Sequence, residues 1–211
     1  MKRLAILGAS GHGKVVADIA ECSGWGEVVF FDDAWPKLSI NGHWTVEGDS
    51  QALVERLSSF TGVIVAIGNN AVRAEKLRWL SDMSAPLVTL VHPSAVISRY
   101  AELGIGTVVM AGVMVNVSSR IGDGVILNTG CSIDHDCIID NHAHISPGAR
   151  LAGGVQVGEQ SWVGIGAAVK QMVKIGQRVT VGAGAVVVSD LPDDITAVGV
   201  PAQPVQITPG V

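Results

Sequence analysis

Ile121-Gly122-Asp123-Gly124-Val125-Ile126-Leu127-Asn128-Thr129-Gly130-Cys131-Ser132-Ile133 sets an aliphatic residue at every sixth position. Extended both ways, the step of six runs from Ile97 through Leu103, Val109 and Val115, and on through Ile139, Ile145, Leu151, Val157, Val163, Val169, Ile175 and Val181 to Val187. Sixteen consecutive hexads carry Leu, Ile or Val without an insertion. A chance match is common at one hexad and implausible over so many, so the period defines a repeat architecture. Glycine follows the aliphatic residue at 104, 122, 158, 164, 176 and 182, and small residues such as Cys131, Cys137, Ala143, Ala149 and Ala167 stand two before it. A short strand and a turn in every hexad give three flat faces per coil, each aliphatic side chain stacking on its equivalent three hexads on. Glycine supplies positive φ or close backbone approach at the corners. Residues 91–211 are expected to form a parallel β-helix.

Upstream, over residues 1–90, the periodicity changes. Leu4 to Leu7 reads as a buried strand, Gly8-Ala9-Ser10-Gly11-His12-Gly13 as a loop, and Lys14 to Cys22 as a helix with Val15, Val16, Ile19 and Ala20 at helical spacing. A second strand, Val28 to Phe31, ends in Asp32-Asp33. A third, Val63 to Ile67, ends in Gly68-Asn69-Asn70, with a helix over 71–83 behind an asparagine cap. Alternating strands and helices predict a small parallel α/β sheet, Rossmann-like in character. Ligands of such sheets lie at the carboxyl ends of the strands. The glycine loop, the acidic pair and Gly68 converge there, and a glycine loop opening a helix lets backbone N–H groups approach a phosphate. The spacing is G-x-x-G-x-G, not the dinucleotide G-x-G-x-x-G, so a mononucleotide fits better than a dinucleotide.

The totals exclude several classes. With 48% apolar and 16% charged residues, the 211-residue chain is a packed protein, and its net charge of -5 and pI near 5.6 argue against nucleic acid as partner. No apolar run approaches a membrane span, so no membrane insertion is expected. The charged start breaks off at Gly8 and reads as a strand instead of a secretory leader. The odd count of three cysteines, Cys22, Cys131 and Cys137, shows no metal-ligand spacing and fits a reducing, cytoplasmic compartment.

Among the histidines, His43 falls in a polar loop, His92 at the junction of the two halves, and His12 inside the glycine loop. His135 stands apart. Its hexad, Ile133-Asp134-His135-Asp136-Cys137-Ile138, puts His135 and Asp136 at a coil corner outside the aliphatic stack. An imidazole beside a carboxylate is the pattern of a general base, the carboxylate orienting the ring and stabilising its protonated form. A solvated polar corner is the alternative. Three hexads on from His135 lies Gly153, a side-chain-free backbone at the same corner, whose N–H could meet a developing oxyanion. His135, His142 and His144 share no column of the coil, which disfavours a metal site within one chain, and no metal is expected.

These residues carry a resemblance along nearly the whole chain. Gly8-Ala9-Ser10-Gly11-His12-Gly13, Asp32-Asp33, Ala66-Ile67-Gly68-Asn69-Asn70, Ile126-Leu127-Asn128-Thr129, Asp134-His135-Asp136-Cys137, Ala152-Gly153-Gly154 and Gly199-Val200-Pro201-Ala202 resemble the hexapeptide-repeat sugar acetyltransferases of the UDP-4-amino-sugar (bacillosamine pathway) type. Perosamine N-acetyltransferases and sialic acid O-acetyltransferase-like proteins are relatives. The resemblance implies a left-handed coil and acetyl-CoA as co-substrate, acetylating the 4-amino group of a nucleotide-linked amino-deoxy sugar, a UDP sugar first and GDP-perosamine or a dTDP sugar as alternatives. It implies that Ser10, Gly11, His12, Asp32, Asp33 and Gly68 contact the nucleotide sugar. It implies His135 as general base, Asp136 as the group raising its basicity, and Gly153 as oxyanion donor. Acetyl-CoA would lie near His144, Ile165 and Ala183, the last two one full coil apart. Many relatives carry glutamate where this chain has the shorter Asp136.

An isolated triangular coil offers open grooves, too shallow to cover a CoA molecule, and packing about a three-fold axis closes them. A homotrimer with active sites between subunits is therefore expected. Sugar O-acetylation and a non-catalytic nucleotide-sugar scaffold remain the competing functions, with a zinc-dependent hydratase further behind.

Overall fold

The computed structural model describes residues 2–205; Met1 and the end of the expected second domain, 206–211, lie outside them. The chain divides into two compact units between Pro93 and Ser94.

In the first unit β1 (Arg3–Leu7) leads through the glycine loop into α1 (Gly11–Cys22), which begins inside that loop, three residues before the start expected at Lys14. β2 (Glu27–Phe31) follows, then a two-stranded hairpin of β3 (Ile40–Asn41) and β4 (Trp44–Thr45), and a short helix α2 (Ser50–Glu55). Asp49 caps α2, accepting from the Ala52 N–H at 2.8 Å. β5 (Gly62–Val65) and α3 (Asn70–Asp82) complete the unit. Asn69 caps α3, its Oδ1 accepting from the Val72 N–H at 3.1 Å. The sheet is parallel in the order β2-β1-β5, with Leu4 facing Val28 on one side and Gly62 on the other. β1 is thus central and the chain departs from it in opposite directions, which opens a crevice beyond its carboxyl end.

Both faces of the sheet are covered. Ala5, Leu7, Val29, Phe31, Val63 and Val65 pack against Leu53, Phe60, Leu77 and Leu80, while Leu4, Ile6, Phe30 and Ile64 are fully buried with Val16, Ile19 and Ala20 of α1. Strands buried on both faces read as unbroken apolar runs, as these do. Each buried Val, Leu, Ile or Phe side chain among them contributes roughly 1.5–3 kcal/mol through burial.

The second unit is a parallel β-helix whose two-residue strands repeat from Val96–Ile97 to Val186–Val187. Strands three hexads apart pair in register: Met114 with Ser132, Arg120 with Ile138, Ile126 with His144. Fourteen of the sixteen aliphatic positions are buried; Ile97 and Leu103, in the first coil, have no coil beneath them and are half-buried. The glycine after the aliphatic residue serves close approach. A Cβ on Gly158 would lie 2.6 Å from the Gly176 carbonyl carbon, so a side chain there would part the coils.

Regularity ends after Val187. Leu191 pairs with Ile175 and Ala197 with Val181, each 16 residues on instead of 18. The last coil is two residues short and closes in an antiparallel hairpin of Thr196–Val198 with Gln203–Val205. Among the described residues no helix is long and apolar enough to cross a membrane.

Candidate active site

In the first unit the carboxyl ends of the three strands enclose a cleft of about 290 Å³, its walls including Gly8, Ser10, Asp32, Asp33, Gly68 and Lys76. Four of the six residues expected to contact a nucleotide sugar are therefore walls of one cleft. Gly11 and His12 continue from Ser10 into α1. Ser10 stands at the N-cap without a side-chain cap bond, and the first N–H to find an acceptor within the helix is that of Lys14, 3.2 Å from the Ser10 carbonyl. The helix therefore begins with N–H groups available to an anion, at the positive end of its dipole.

Two glycines here have no internal reason to be glycine. A Cβ on Gly11 or Gly68 would meet nothing within 4 Å, and neither has a positive φ. Gly8 and Gly13 differ. Gly8 has φ +110°, and a side chain on Gly13 would strike the Gly8 carbonyl oxygen. The space over Gly11 and Gly68 is empty as an approach path for a ligand would be.

The acidic pair divides its labour. Asp32 accepts from the Ala9 N–H (2.7 Å) and the Ala34 N–H (2.9 Å), so it ties the glycine loop to the end of β2. Asp33 accepts from the Ser50 N–H (2.9 Å) and from Lys76 Nζ (3.0 Å), and Lys76 also donates to Ser50 Oγ at 3.0 Å. Burial pushes the Asp33 carboxyl up, but the bonds from Ser50 and Lys76 outweigh it and hold its pKa below the usual carboxylate value. Beneath Gly68 lies Arg73, 1% exposed, donating to the Ile67 and Gly68 carbonyls (3.0 and 3.2 Å) and to Asn70 Oδ1 (2.8 Å). Burial brings this guanidinium to a pKa of about 10, leaving it charged at neutral pH. Burial, reinforced by the Arg73 charge, brings His12 to about 4, so its ring is neutral. Neither Arg73 nor Lys76 was singled out from the sequence. The available signal was spacing: Arg73 falls on the buried stripe of α3 with Asn70, Leu77 and Leu80.

In the second unit His135 and Asp136 occupy a corner, as their hexad predicts. His135 Nδ1 lies 2.7 Å from Asp136 Oδ2, so the shorter aspartate arm reaches the ring. An ionised carboxylate only accepts, so Nδ1 carries the proton and Nε2 presents its lone pair. Asp136 sits at φ +60°, a left-handed position that aspartate tolerates, and this turns its side chain back onto its neighbour. Asp134 holds the other side of the corner, its Oδ1 accepting from the His135 N–H (2.9 Å) and from Asn116 Nδ2 (3.0 Å). The side chains of His135 and Asp136 are 57% and 65% exposed, open to a substrate. The bond to Asp136 raises the His135 pKa; loss of hydration opposes this and the charges of Asp134 and Asp136 add to it.

Gly153 lies directly under this ring. A Cβ there would stand 2.5 Å from Cε1 and 2.6 Å from Nε2 of His135. The Gly154 N–H bonds the His135 carbonyl at 2.9 Å, while the Gly153 N–H makes no hydrogen bond among the described residues. A base nitrogen and a backbone donor thus share one corner. The nearby thiols offer no nucleophile: Cys131 and Cys137 are fully buried, and burial pushes Cys131 up to about 12 and raises Cys137.

The three residues expected along acetyl-CoA are not alike. Ile165 is 57% exposed and Ala183 is exposed one coil on, the Gly184 N–H bonding the Ile165 carbonyl at 2.8 Å. His144 is 6% exposed. Its Nε2 lies 3.0 Å from Asn128 Nδ2 and its ring stacks on Trp162 at 4.4 Å between centroids, with Trp162 Nε1 donating to Ser146 Oγ at 2.7 Å. The step from His144 to Trp162, one coil, was legible; that the larger ring covers the smaller was not. Among the described residues no three His, Cys, Asp or Glu side chains converge as a metal set.

Comparison with known proteins joins these observations. Residues 3–80 match the family described as PglD N-terminal domain, and residues 118–153 match bacterial transferase hexapeptide (six repeats). The chain is 38% identical over 114 residues to the UDP-N-acetylbacillosamine N-acetyltransferase of Bacillus subtilis (strain 168), an alignment spanning 53% of this chain and 52%, about half, of that protein. Over nearly full length it is similar to the acetyltransferase domain of PglB from Neisseria gonorrhoeae FA1090 in complex with acetyl coenzyme A (42% identity, TM-score 0.90, covering 97% of this chain and 99% of that one). It is equally similar to PerB from Caulobacter crescentus in complex with CoA and GDP-perosamine (41% identity, TM-score 0.91, 98% of both chains).

Proposed function

The chain belongs to the hexapeptide-repeat sugar N-acetyltransferase family, and from that premise we propose that it transfers the acetyl group of acetyl-CoA to the 4-amino group of a nucleotide-linked amino-deoxy sugar. The observation that carries the reading is the His135 corner: a ring nitrogen kept as acceptor by Asp136, over a glycine whose N–H is unused.

The first unit holds the nucleotide. Ser10, Gly11 and Gly68 give its phosphates and sugar room and N–H donors, and Asp33 faces the cleft. Asp32 acts chiefly by fixing the loop, and His12 contributes a neutral ring beside it. Transfer runs at the His135 corner. The neutral sugar amine attacks the thioester carbonyl carbon while Nε2 of His135 takes its proton. The carbonyl oxygen becomes an oxyanion that the Gly153 N–H stabilises. As the tetrahedral species collapses, the C–S bond breaks, and the imidazolium returns the proton so that CoA leaves as the thiol. No acyl-enzyme forms. Acetyl-CoA runs along the exposed Ile165–Ala183 corner, and His144, stacked under Trp162, shapes the wall near it.

Thiol release from acetyl-CoA, followed with UDP-4-amino-4,6-dideoxy sugars, GDP-perosamine and a dTDP-amino sugar, is the direct test. One amino sugar nucleotide should stimulate release, and the product should carry an amide. Stimulation only by hydroxyl sugars would favour O-acetylation, and binding without thiol release would favour the scaffold reading.

We further propose a homotrimer, one chain supplying His135 and its neighbour part of the CoA cleft, since a corner as exposed as Ile165 covers little of so long a ligand by itself. Light scattering should give three chains. Co-assembled His135→Ala and Ile165→Asp chains should recover partial activity that neither shows alone. A fully active monomer would overturn this. The cytoplasm, where three unpaired cysteines stay reduced, is the proposed compartment.

A further inference from the structure

The cleft of the first unit is lined by a charged pair, Asp33 and Lys76, besides its glycine loop. Asp33 follows the end of β2 and Lys76 stands on the second turn of α3. An ammonium has three donors. Lys76 commits two, to Asp33 Oδ2 and Ser50 Oγ at 3.0 Å each; its ammonium also lies 5.5 Å from the Trp79 ring centroid, and its third donor makes no hydrogen bond among the described residues. The Asp33 carboxylate, with about four acceptor positions, takes one N–H from Ser50 on Oδ1 and one from Lys76 on Oδ2. Its side chain is 59% exposed. The pair therefore presents one donor and one acceptor side by side, and Ala66, Ile67 and Val72 add apolar surface on which a flat ring can lie.

Nucleobases divide cleanly against such a pair. Uracil, thymine and guanine carry a carbonyl acceptor next to a ring N–H donor. Cytosine and adenine carry an amino donor next to a bare ring nitrogen. We propose that Lys76 and Asp33 read the edge of the base, Lys76 donating to its carbonyl and Asp33 accepting from the adjacent ring N–H, so that the cleft takes keto-base nucleotides and rejects amino-base ones. The inference rests on the first unit being the nucleotide-binding one. Asp33 stays ionised near neutral pH, so it offers only acceptors, and Lys76 offers only donors. An amino base held by its ribose in the same orientation would face donor with donor and acceptor with acceptor, which costs more than a lost bond.

Calorimetric titration of the full chain with UDP, CDP, GDP and ADP isolates the effect, since UDP and CDP share ribose and phosphates. UDP should bind at least about tenfold tighter than CDP, or GDP than ADP where the cleft takes the larger ring, as one to two hydrogen bonds gained or lost would give. Lys76→Met should bring the two members of the pair within about threefold of each other, and Lys76→Arg, which keeps a donor, should preserve the ratio. Unchanged melting curves would show both variants folded. Equal affinity for UDP and CDP and for GDP and ADP in the unaltered chain would overturn the inference alone. So would an equal loss for every nucleotide in Lys76→Met, which would assign Lys76 to the phosphates. Binding of none of the four would overturn the nucleotide-binding reading along with it.

Discussion

His135→Ala is expected to lower kcat at least about a hundredfold, within the 10²–10⁴ that a positioned general base contributes, while leaving the fold intact. The fold should survive because the ring lies at a corner, 57% exposed, over Gly153 and beside Asp136. KM for acetyl-CoA should change little, since the ring acts on the amine proton and not on the thioester's binding. The pH profile supplies a second check with a defined sign. The base must be neutral, so activity falls as pH drops through the His135 pKa, which the bond to Asp136 holds above the ordinary histidine value. Asp136→Asn removes the negative charge and leaves Nδ1–H only a weaker amide acceptor, so the acid limb should move to lower pH while the plateau drops. The plateau loss should be smaller than for His135→Ala, because the base remains. Near-normal turnover in a folded His135→Ala protein, or a greater loss in Asp136→Asn, would overturn the assigned roles.

How far the sequence led depended on whether a residue's environment is set by the local period or by a distant neighbour. The aliphatic stack from Val109 to Val187 is buried as the step of six predicts, because each position through Val169 is covered by its own repeat one coil on. The period could not show the final coil, where the spacing shrinks to 16 and Leu191 takes the inward place that a strict count would give Asp193. The corner of His135 was legible because the carboxylate is its immediate neighbour. Arg73 and Lys76 were not, since a cation in a helix reads as solvated face. Only the strand order, with β1 between β2 and β5, puts α3 beside the glycine loop. His144 shows the same limit on the β-helix. Its outward strand position suggests exposure, but the Trp162 ring one coil on, in the next strand of that face, lies over it and Asn128 bonds its Nε2.

Gly153→Ala is expected to cost activity on a similar scale, for a reason separable from loss of the base. The residue has no positive φ, so alanine suits its backbone, and the substitution keeps the N–H proposed as oxyanion donor. What it cannot keep is the ring above it. A methyl carbon 2.6 Å from Nε2 and 2.5 Å from Cε1 is closer than real carbon contacts allow, so the imidazole must swing away. Swinging breaks the 2.7 Å bond to Asp136 and moves Nε2 off the corner. A base displaced by an ångström or so loses on the order of a hundredfold in rate. The thermal midpoint should fall little, because the exposed ring has solvent to move into. A double-mutant cycle decides the cause. In a His135→Ala background the three ring atoms nearest the methyl are gone, and Gly153→Ala should cost almost nothing further. If it cost as much there as in the unaltered chain, Gly153 would be acting through the backbone conformation of its own corner, and the steric partnership with His135 would be wrong.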